Sequence, residues 1–153
     1  MHPTAAAYLG PDAVSGSVRL VLLEGKTIAS LWYPSGMWHH DRCGPRLKCF
    51  VNLDEVGPEA HPMQLVPRTH STVYYAYDIN VQSRFSSAFV DANYGPPVEM
   101  VGDMGDGFCF DTNGIHSGKL SGTRARYVAI YEFHSARTER EFQANGVTAP
   151  FGA

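Results

Sequence analysis

The feature of the sequence that most restricts its fold is a series of short apolar segments separated by glycine, proline and asparagine residues. This pattern is typical of β-strands joined by turns. In Leu47–Val56, apolar and polar residues alternate with the period of two expected of a strand with two different faces. The clearest strand is Tyr127–His134, which is rich in aromatic and β-branched residues. The remaining predicted strands are Val18–Glu24, Thr27–Tyr33, Met63–Pro67, Val73–Ile79, Val98–Val101 and Gly107–Asp111.

Helical patterns are weak by comparison. Val81–Asp91 is a candidate helix because its apolar residues share one face, and Thr138–Ala144 could form one or two turns. Seven or eight short strands in 153 residues indicate an all-β domain, either a sandwich or a barrel that closes on itself. We therefore expect residues 1–153 to form one domain, with no repeat or linker.

Composition and charge argue against several classes of protein. The formal net charge is −3 and the basic residues are scattered, so no nucleic-acid partner is expected. No apolar run approaches the roughly 18 residues that a membrane span needs, and the N-terminus lacks the pattern of a signal peptide. Cys43, Cys49 and Cys109 are too few and wrongly spaced for a disulfide framework or a cysteine zinc site. We therefore expect reduced thiols in a cytoplasmic protein.

Candidate metal ligands occur in the segment WHHDRCG. His39 and Asp41 are two residues apart, so in an extended chain an imidazole and a carboxylate project from the same face, whereas His40 points away. The best third ligand is His116, which lies just past a predicted strand in a glycine-flanked turn. Two imidazoles and one carboxylate hold non-haem ferrous iron and leave the opposite positions open for a cosubstrate and O2.

The histidines also have other interpretations. A His-x-Asp pair often arises by chance, as a surface histidine beside a solvated aspartate, and His70 and His134 compete as ligands. His116 is preferred because Arg124 and Arg126 follow it at the start of the last strand. Iron-bound 2-oxoglutarate would bury its 5-carboxylate, which a guanidinium can pair in a bidentate manner. Arg126, directly before the aromatic run, is the preferred anchor, although either arginine could be a solvated charge.

Four blocks in this order resemble the phytanoyl-CoA dioxygenase-like family: WHHDRCGPRLKCFVNLDEV, MQLVPRTHS, VGDMGDGFCFDTNGIHSG and RARYVAIYEF. The resemblance implies an iron(II)- and 2-oxoglutarate-dependent dioxygenase on a double-stranded β-helix, or jelly-roll, fold. It matches the family's metal ligands to His39, Asp41 and His116, and its 2-oxoglutarate-binding residue to Arg126, with Arg124 as the alternative. The expected cofactors are therefore Fe(II), 2-oxoglutarate and O2, with succinate and CO2 as coproducts.

The chain departs from this family in two places. Arg68 stands where the family's Pro-Gly-Ser-His element has glycine. Only 38 residues precede His39, whereas family members usually add N-terminal helices that help enclose the substrate. We expect an open pocket, a partner subunit that completes it, or an inactive relative. Halogenating relatives have glycine or alanine in place of the aspartate, so Asp41 favours hydroxylation, or a related desaturation or ring closure.

The substrate side of the site is less defined. Lys48 and Asn52 share one face of their strand and either contact the cosubstrate or form an outer polar face. Trp32 and Trp38 lie close to the iron motif and either wall an apolar substrate or pack in the core. The expected partner is a small organic substrate.

Three further possibilities concern assembly and class. A homodimer is one, because a short jelly roll leaves sheet edges exposed. Another is a non-catalytic jelly-roll binding domain in which the histidines have no metal. The third is a cupin-like metalloenzyme that does not use 2-oxoglutarate, although cupins usually present a His-x-His arrangement that this chain lacks.

Overall fold

A computed structural model describes residues 2–24, 34–41, 46–70 and 84–137, together with residues 140 and 144. Within these residues, two short helices with defined bounds accompany a larger number of strands, so the prediction of a mostly β protein is confirmed. The elements in chain order are α1 (His2–Leu9), β1 (Ala13–Leu23), a 3-10 turn (Pro34–Gly36), β2 (Trp38–His39), β3 (Arg46–Asn52), β4 (Met63–Leu65), β5 (Arg84–Phe85), α2 (Ser87–Asn93), β6 (Val98–Met100), β7 (Gly107–Asp111), β8 (His116–Gly118) and β9 (Arg126–Ser135).

The described strands form two antiparallel sheets. The first has the order β1-β9-β3-β7 and the second the order β5-β2-β8-β4-β6. In the first sheet β9 pairs with β1 on one side and with β3 on the other. In the second sheet β8 pairs with β2 and β4, so that His116 lies opposite both His39 and Leu65. The first of these pairings brings together two histidines that are 77 positions apart in the sequence.

Strand β3 lies between two parts of the hydrophobic core, which explains why apolar and polar residues alternate along it. Its residues Leu47 and Cys49 pack with Ala5 of α1 on the outer face of the first sheet. The opposite face of β3 points between the two sheets, where Phe50 packs with Met63 and other apolar side chains. Both faces of β3 are therefore largely buried. The polar residues of this strand consequently face the protein interior and are available to a site between the sheets.

Most strand predictions match the structure within a few residues. The strand predicted at 107–111 coincides with β7, and the one predicted at 127–134 is extended by one residue at each end in β9. The strand β1 begins earlier than predicted, and β3, β4 and β6 end earlier. The strands predicted at Thr27–Tyr33 and Val73–Ile79 lie outside the described residues, as does most of Thr138–Ala144.

The two helices differ from the sequence-based expectation. The predicted helix Val81–Asp91 begins only at Ser87, because the Ser86 side chain caps it by accepting a hydrogen bond from the Phe89 amide at 3.1 Å. Arg84 and the residue after it form β5 instead, paired with β2. Helix α1 was not predicted, because it depends on packing against the first sheet more than on local pattern. Neither described helix is long and apolar enough to cross a membrane.

The expectation of reduced cysteines is wrong for two of the three. Cys49 of β3 and Cys109 of β7 lie directly opposite each other and are joined by a disulfide bond. Their separation of 60 residues conceals this pairing, since they meet only when the two strands become neighbours. Cys43 lies outside the described residues. Because disulfides are uncommon in reducing compartments, the cytoplasmic location stays a prediction.

Candidate metal centre

The three predicted metal ligands lie together between the sheets. His39 ends β2 and His116 begins β8, and their ring centroids are 4.2 Å apart. Asp41 follows two residues after His39, with its Oδ1 3.9 Å from His39 Nε2. One possible ligand atom from each of the three residues lies within 4.8 Å of the others. A single ion could therefore contact all three side chains.

Backbone hydrogen bonds hold the two distant parts of this cluster in place. The Asp41 amide donates to the Thr112 carbonyl at 2.8 Å, and the Thr112 amide donates to the Arg46 carbonyl at 3.0 Å. Beyond Thr112 the chain turns, and the Asn113 amide donates to the Asp111 carboxylate at 2.8 Å. This turn delivers His116 to the second sheet. Thr112 and Asn113 thus position the ligands through the turn.

The hydrogen bonds of the two imidazoles determine which nitrogen can bind a metal. His39 Nδ1 lies 2.6 Å from the Met37 carbonyl, and His116 Nδ1 lies 2.8 Å from the Gly114 carbonyl. A carbonyl oxygen only accepts, so each Nδ1 carries the hydrogen and each Nε2 keeps its lone pair. Such a carbonyl partner orients a ligating histidine. Both rings can therefore bind a metal through Nε2.

The electrostatics of the site favour the protonation states that a metal needs. Burial lowers the pKa of His39 to about 4, against the opposing attraction of Asp41. Burial, together with the neighbouring His39, lowers the pKa of His116 to about 3. Burial alone would raise the pKa of Asp41, but Lys48 and Arg46 outweigh it and hold that pKa well below its usual range. At neutral pH the site thus offers two neutral imidazoles and one carboxylate.

Two cations on β3 bind one carboxylate oxygen of Asp41, and the other oxygen faces the histidines. Arg46 Nη2 and Lys48 Nζ both donate to Asp41 Oδ2, the lysine at 2.7 Å. Arg46 and Lys48 are two residues apart and project from the same face of the strand. Lys48 Nζ also lies 3.6 Å from Glu132 Oε1, and Arg19 Nη2 donates to that same oxygen. Asp41 Oδ1 is the oxygen closer to His39, which suits binding of the metal through one oxygen.

A cavity of about 260 Å³ opens beside the two histidines, between the sheets. Its described lining combines apolar side chains with three cations: Val21, Leu23, Phe50, Met63, Phe110, Ile130, Arg19, Lys48 and Arg126. A second cavity, of about 420 Å³, lies beside α1 and contains none of the three candidate ligands. Although the cavity beside α1 is larger, the chemistry of the donor set points to the cavity at the histidines.

The two arginines considered as cosubstrate anchors lie in different environments. Arg126 is only 6% exposed and lines the cavity with His39 and His116. The Arg124 side chain is 49% exposed and forms an ion pair with Glu55 at 3.4 Å, away from the cavity. Of the two, only Arg126 is brought to the candidate metal centre.

Of the other predicted pocket residues, some line the cavity and others do not. Lys48 lines the cavity. Asn52 is buried, but its amide donates to the Gly102 carbonyl at 3.2 Å and holds a loop. Trp38 packs at the edge of an apolar cluster with α2 and does not line the cavity. Trp32 lies outside the described residues.

The competing histidines do not join the cluster. His40 is buried beside Phe85. His70 lines the cavity beside α1, and His134 is buried in β9 opposite Val14. Sequence reasoning missed Arg19, Arg46 and Glu132 as neighbours of the site. One signal was present, since Glu132 is the only acidic residue of strand β9 and lies between two aromatic residues, and buried carboxylates require cationic partners.

Comparisons with known proteins are limited to structural similarity. No family model and no curated protein matches the chain. EvdMO1 is 26% identical with a TM-score of 0.61, covering 88% of this chain and 30% of that one. The epimerase SnoN, solved with Fe3+, alpha-ketoglutarate and nogalamycin RO, is 18% identical with a TM-score of 0.58. The match covers 81% of this chain and 50% of SnoN. HygX from Streptomyces hygroscopicus, with nickel and 2-oxoglutarate bound, is 10% identical with a TM-score of 0.61. The match covers 89% of this chain and 61% of HygX.

These matches establish a shared fold. The chain spans between 30% and 61% of the length of these three proteins. SnoN was solved with Fe3+ and alpha-ketoglutarate, and HygX with nickel and 2-oxoglutarate. The phytanoyl-CoA dioxygenase-like family itself is not confirmed by any of them.

Proposed function

We propose that this protein is an Fe(II)- and 2-oxoglutarate-dependent dioxygenase of the jelly-roll type that hydroxylates a small organic substrate. The observation that carries this proposal is the cluster of His39, Asp41 and His116 beside an interior cavity. Two neutral imidazoles and one ionised carboxylate are the donor set of non-haem iron oxygenases. The binding of iron and 2-oxoglutarate, or of nickel and 2-oxoglutarate, by proteins of this fold supports the proposal.

The proposed iron ligands are His39 Nε2, His116 Nε2 and Asp41 Oδ1. Bound iron, with O2 and 2-oxoglutarate, supplies the oxidising chemistry, in which 2-oxoglutarate becomes succinate and CO2. The chain contributes orientation and shielding from water. The carbonyls of Met37 and Gly114 hold the two rings, and the apolar walls of the cavity limit the access of water.

Arg126 is the proposed partner of the 2-oxoglutarate 5-carboxylate. It is buried and lines the same cavity as the two histidines. A buried carboxylate is stabilised only when a cation pairs with it, and the guanidinium group can form two parallel hydrogen bonds to it. Arg124 is a poor alternative because its side chain lies at the surface beside Glu55.

Hydroxylation is proposed over halogenation because Asp41 supplies the carboxylate that halogenating relatives lack. Epimerisation is a second candidate, since SnoN, which shares the fold, is an epimerase. Both reactions begin at a C–H bond of the substrate and would use the same metal centre.

The proposal is tested by succinate formation and by a matched pair of arginine variants. The purified protein, reconstituted anaerobically with Fe(II) and then given O2 and 2-oxoglutarate, should release succinate even without its own substrate, at a slow uncoupled rate. Arg126→Gln should raise the 2-oxoglutarate concentration needed for half-maximal rate by roughly tenfold or more, because it removes a buried charge pair. Arg124→Gln should behave like the unaltered protein.

Three results would contradict the proposal or its ligand assignment. Absence of both iron binding and succinate formation would favour the non-catalytic binding domain. Iron binding with no use of 2-oxoglutarate would favour a cupin-like metalloenzyme. An Asp41→Ala variant that bound Fe(II) and consumed 2-oxoglutarate as well as the unaltered protein would show that the ligand assignment is wrong.

A further inference from the structure

The cavity at the candidate metal centre is rich in cations, although the chain as a whole is acidic. Arg19, Lys48 and Arg126 line this cavity, while the formal net charge of the protein is −3. Among the described residues, no aspartate or glutamate lines it. A partly enclosed site of one charge sign raises the local concentration of ligands of the opposite sign. The charge of this cavity therefore carries information about the substrate.

Two of these three cations already have a role near the metal centre. Lys48 donates to Asp41 at 2.7 Å and lies 3.6 Å from Glu132. Arg126 is the proposed partner of the 2-oxoglutarate 5-carboxylate. Arg19 is the cation that remains without such a role.

Arg19 is held in place and still accessible. Its Nη2 donates to Oε1 of Glu132, which is fully buried, and this is the only polar partner of the Arg19 side chain among the described residues. The Arg19 side chain is nevertheless 42% exposed. A guanidinium group has five N–H donors in a planar fork, so the contact with Glu132 leaves donors for a second oxyanion. Val21 and Leu23, at alternate positions along β1, line the cavity with it.

The charge balance of the loaded site also favours an anionic substrate. Among the described residues, four cations and two carboxylates line the cavity or form ion pairs with the residues that do: Arg19, Arg46, Lys48, Arg126, Asp41 and Glu132. One Fe(II) adds two positive charges and one 2-oxoglutarate adds two negative charges. The site would therefore keep an excess of two positive charges when loaded. A substrate with an oxyanion reduces this excess, whereas a cationic substrate increases it.

We propose that the substrate carries a carboxylate or phosphate group bound by Arg19, with an apolar carbon skeleton against Val21, Leu23 and Ile130. This inference rests on the proposed function, because it assumes that 2-oxoglutarate occupies Arg126. It assigns Arg19 as a residue that determines substrate specificity. The Glu132 carboxylate is the positioning residue that holds the guanidinium group at the cavity.

The test compares three probes that share one carbon chain and differ in the head group: hexanoate, hexyl phosphate and hexan-1-ol. Binding is measured by calorimetry, without O2, to protein loaded with Fe(II) and saturating 2-oxoglutarate, so that Arg126 is occupied. Hexanoate or hexyl phosphate should bind roughly tenfold or more tightly than hexan-1-ol, since a hydrogen bond to a charged group is worth that factor. Arg19→Gln should abolish the preference, and Arg124→Gln, which removes an exposed arginine elsewhere, should preserve it.

The outcomes separate this inference from the proposed function. Equal binding of hexan-1-ol and both anions to a protein that binds Fe(II) and 2-oxoglutarate overturns the anionic substrate and leaves the oxygenase proposal intact. An anion preference that survives Arg19→Gln overturns the assignment of Arg19. If the protein binds neither Fe(II) nor 2-oxoglutarate, the proposed function fails, while an Arg19-dependent preference for hexanoate would still support an oxyanion site. The stronger of the two anionic probes identifies the head group.

Discussion

The two buried imidazoles should make the metal-free protein unusually sensitive to acid. His39 and His116 remain neutral in the folded protein because burial lowers their pKa values to about 4 and about 3. In the unfolded chain a histidine has a pKa of about 6.5 and takes up most of a proton between pH 7 and pH 5. The unfolded state therefore binds more protons over this range, so the free energy of unfolding falls as the pH falls.

The magnitude follows from the two pKa values. A histidine that is neutral when folded and has an unfolded pKa of about 6.5 costs about 2 kcal/mol of stability between pH 7 and pH 5, and the pair costs about 4 kcal/mol. Asp41 adds little in this window, because its lowered pKa affects stability only as the pH approaches the unfolded value of an aspartate, near 3.9. The effect between pH 7 and pH 5 is therefore that of the imidazoles.

Urea unfolding of the metal-free protein at pH 7 and pH 5, in the presence of a chelator, measures this loss. His116→Gln should reduce the loss by about 2 kcal/mol, because one titrating imidazole is removed. Ser117→Ala is the matched control, since it alters the next residue, which is also buried, without removing a titratable group. If His116→Gln loses as much stability between pH 7 and pH 5 as the unaltered protein does, the buried imidazole of His116 is not the source of the acid sensitivity.

Three further predictions concern the framework of the site. Replacing Cys49 and Cys109 with serine should lower the free energy of unfolding by roughly 2–4 kcal/mol, measured by urea unfolding, because a disulfide that closes a long loop is lost; an unchanged midpoint would contradict this. Gly122→Ala should lower the melting temperature, because the backbone has φ +154° and an added Cβ would lie 2.6 Å from the Glu59 carbonyl oxygen; equal melting temperatures would refute it. Asn52→Ala should cost about 0.5–1.5 kcal/mol, because the Gly102 carbonyl loses the Asn52 amide and keeps only the Val56 amide as a donor, and a cost near zero would show that this hydrogen bond does not hold the loop.

The sequence was most informative where a local pattern decides the structure. The strand predictions for β7 and β9 succeed because their β-branched and aromatic residues favour extended chain whatever surrounds them. The spacing of His39 and Asp41 was enough to place both side chains on one face. His116 was favoured as the third ligand by its position after a predicted strand and before the two arginines, and the pairing of β2 with β8 is what brings it to His39.

The features that the sequence did not predict depend on contacts between elements that are distant in the chain. The disulfide between Cys49 and Cys109 exists only because β3 lies beside β7. In the same way, Lys48 meets Glu132 because β3 lies beside β9, and although the lone carboxylate of β9 indicates that a cation is nearby, neither strand's sequence identifies which one. Helix α1 is a third case, because its burial against the first sheet stabilises it more than its own sequence does.

A crystal structure obtained after anaerobic soaking with Fe(II) and 2-oxoglutarate would show both the metal ligands and the cosubstrate anchor. One ion should be bound by His39 Nε2, His116 Nε2 and Asp41, with the 5-carboxylate of 2-oxoglutarate paired to Arg126. An ion bound by other residues, or a 2-oxoglutarate molecule held away from Arg126, would contradict these assignments.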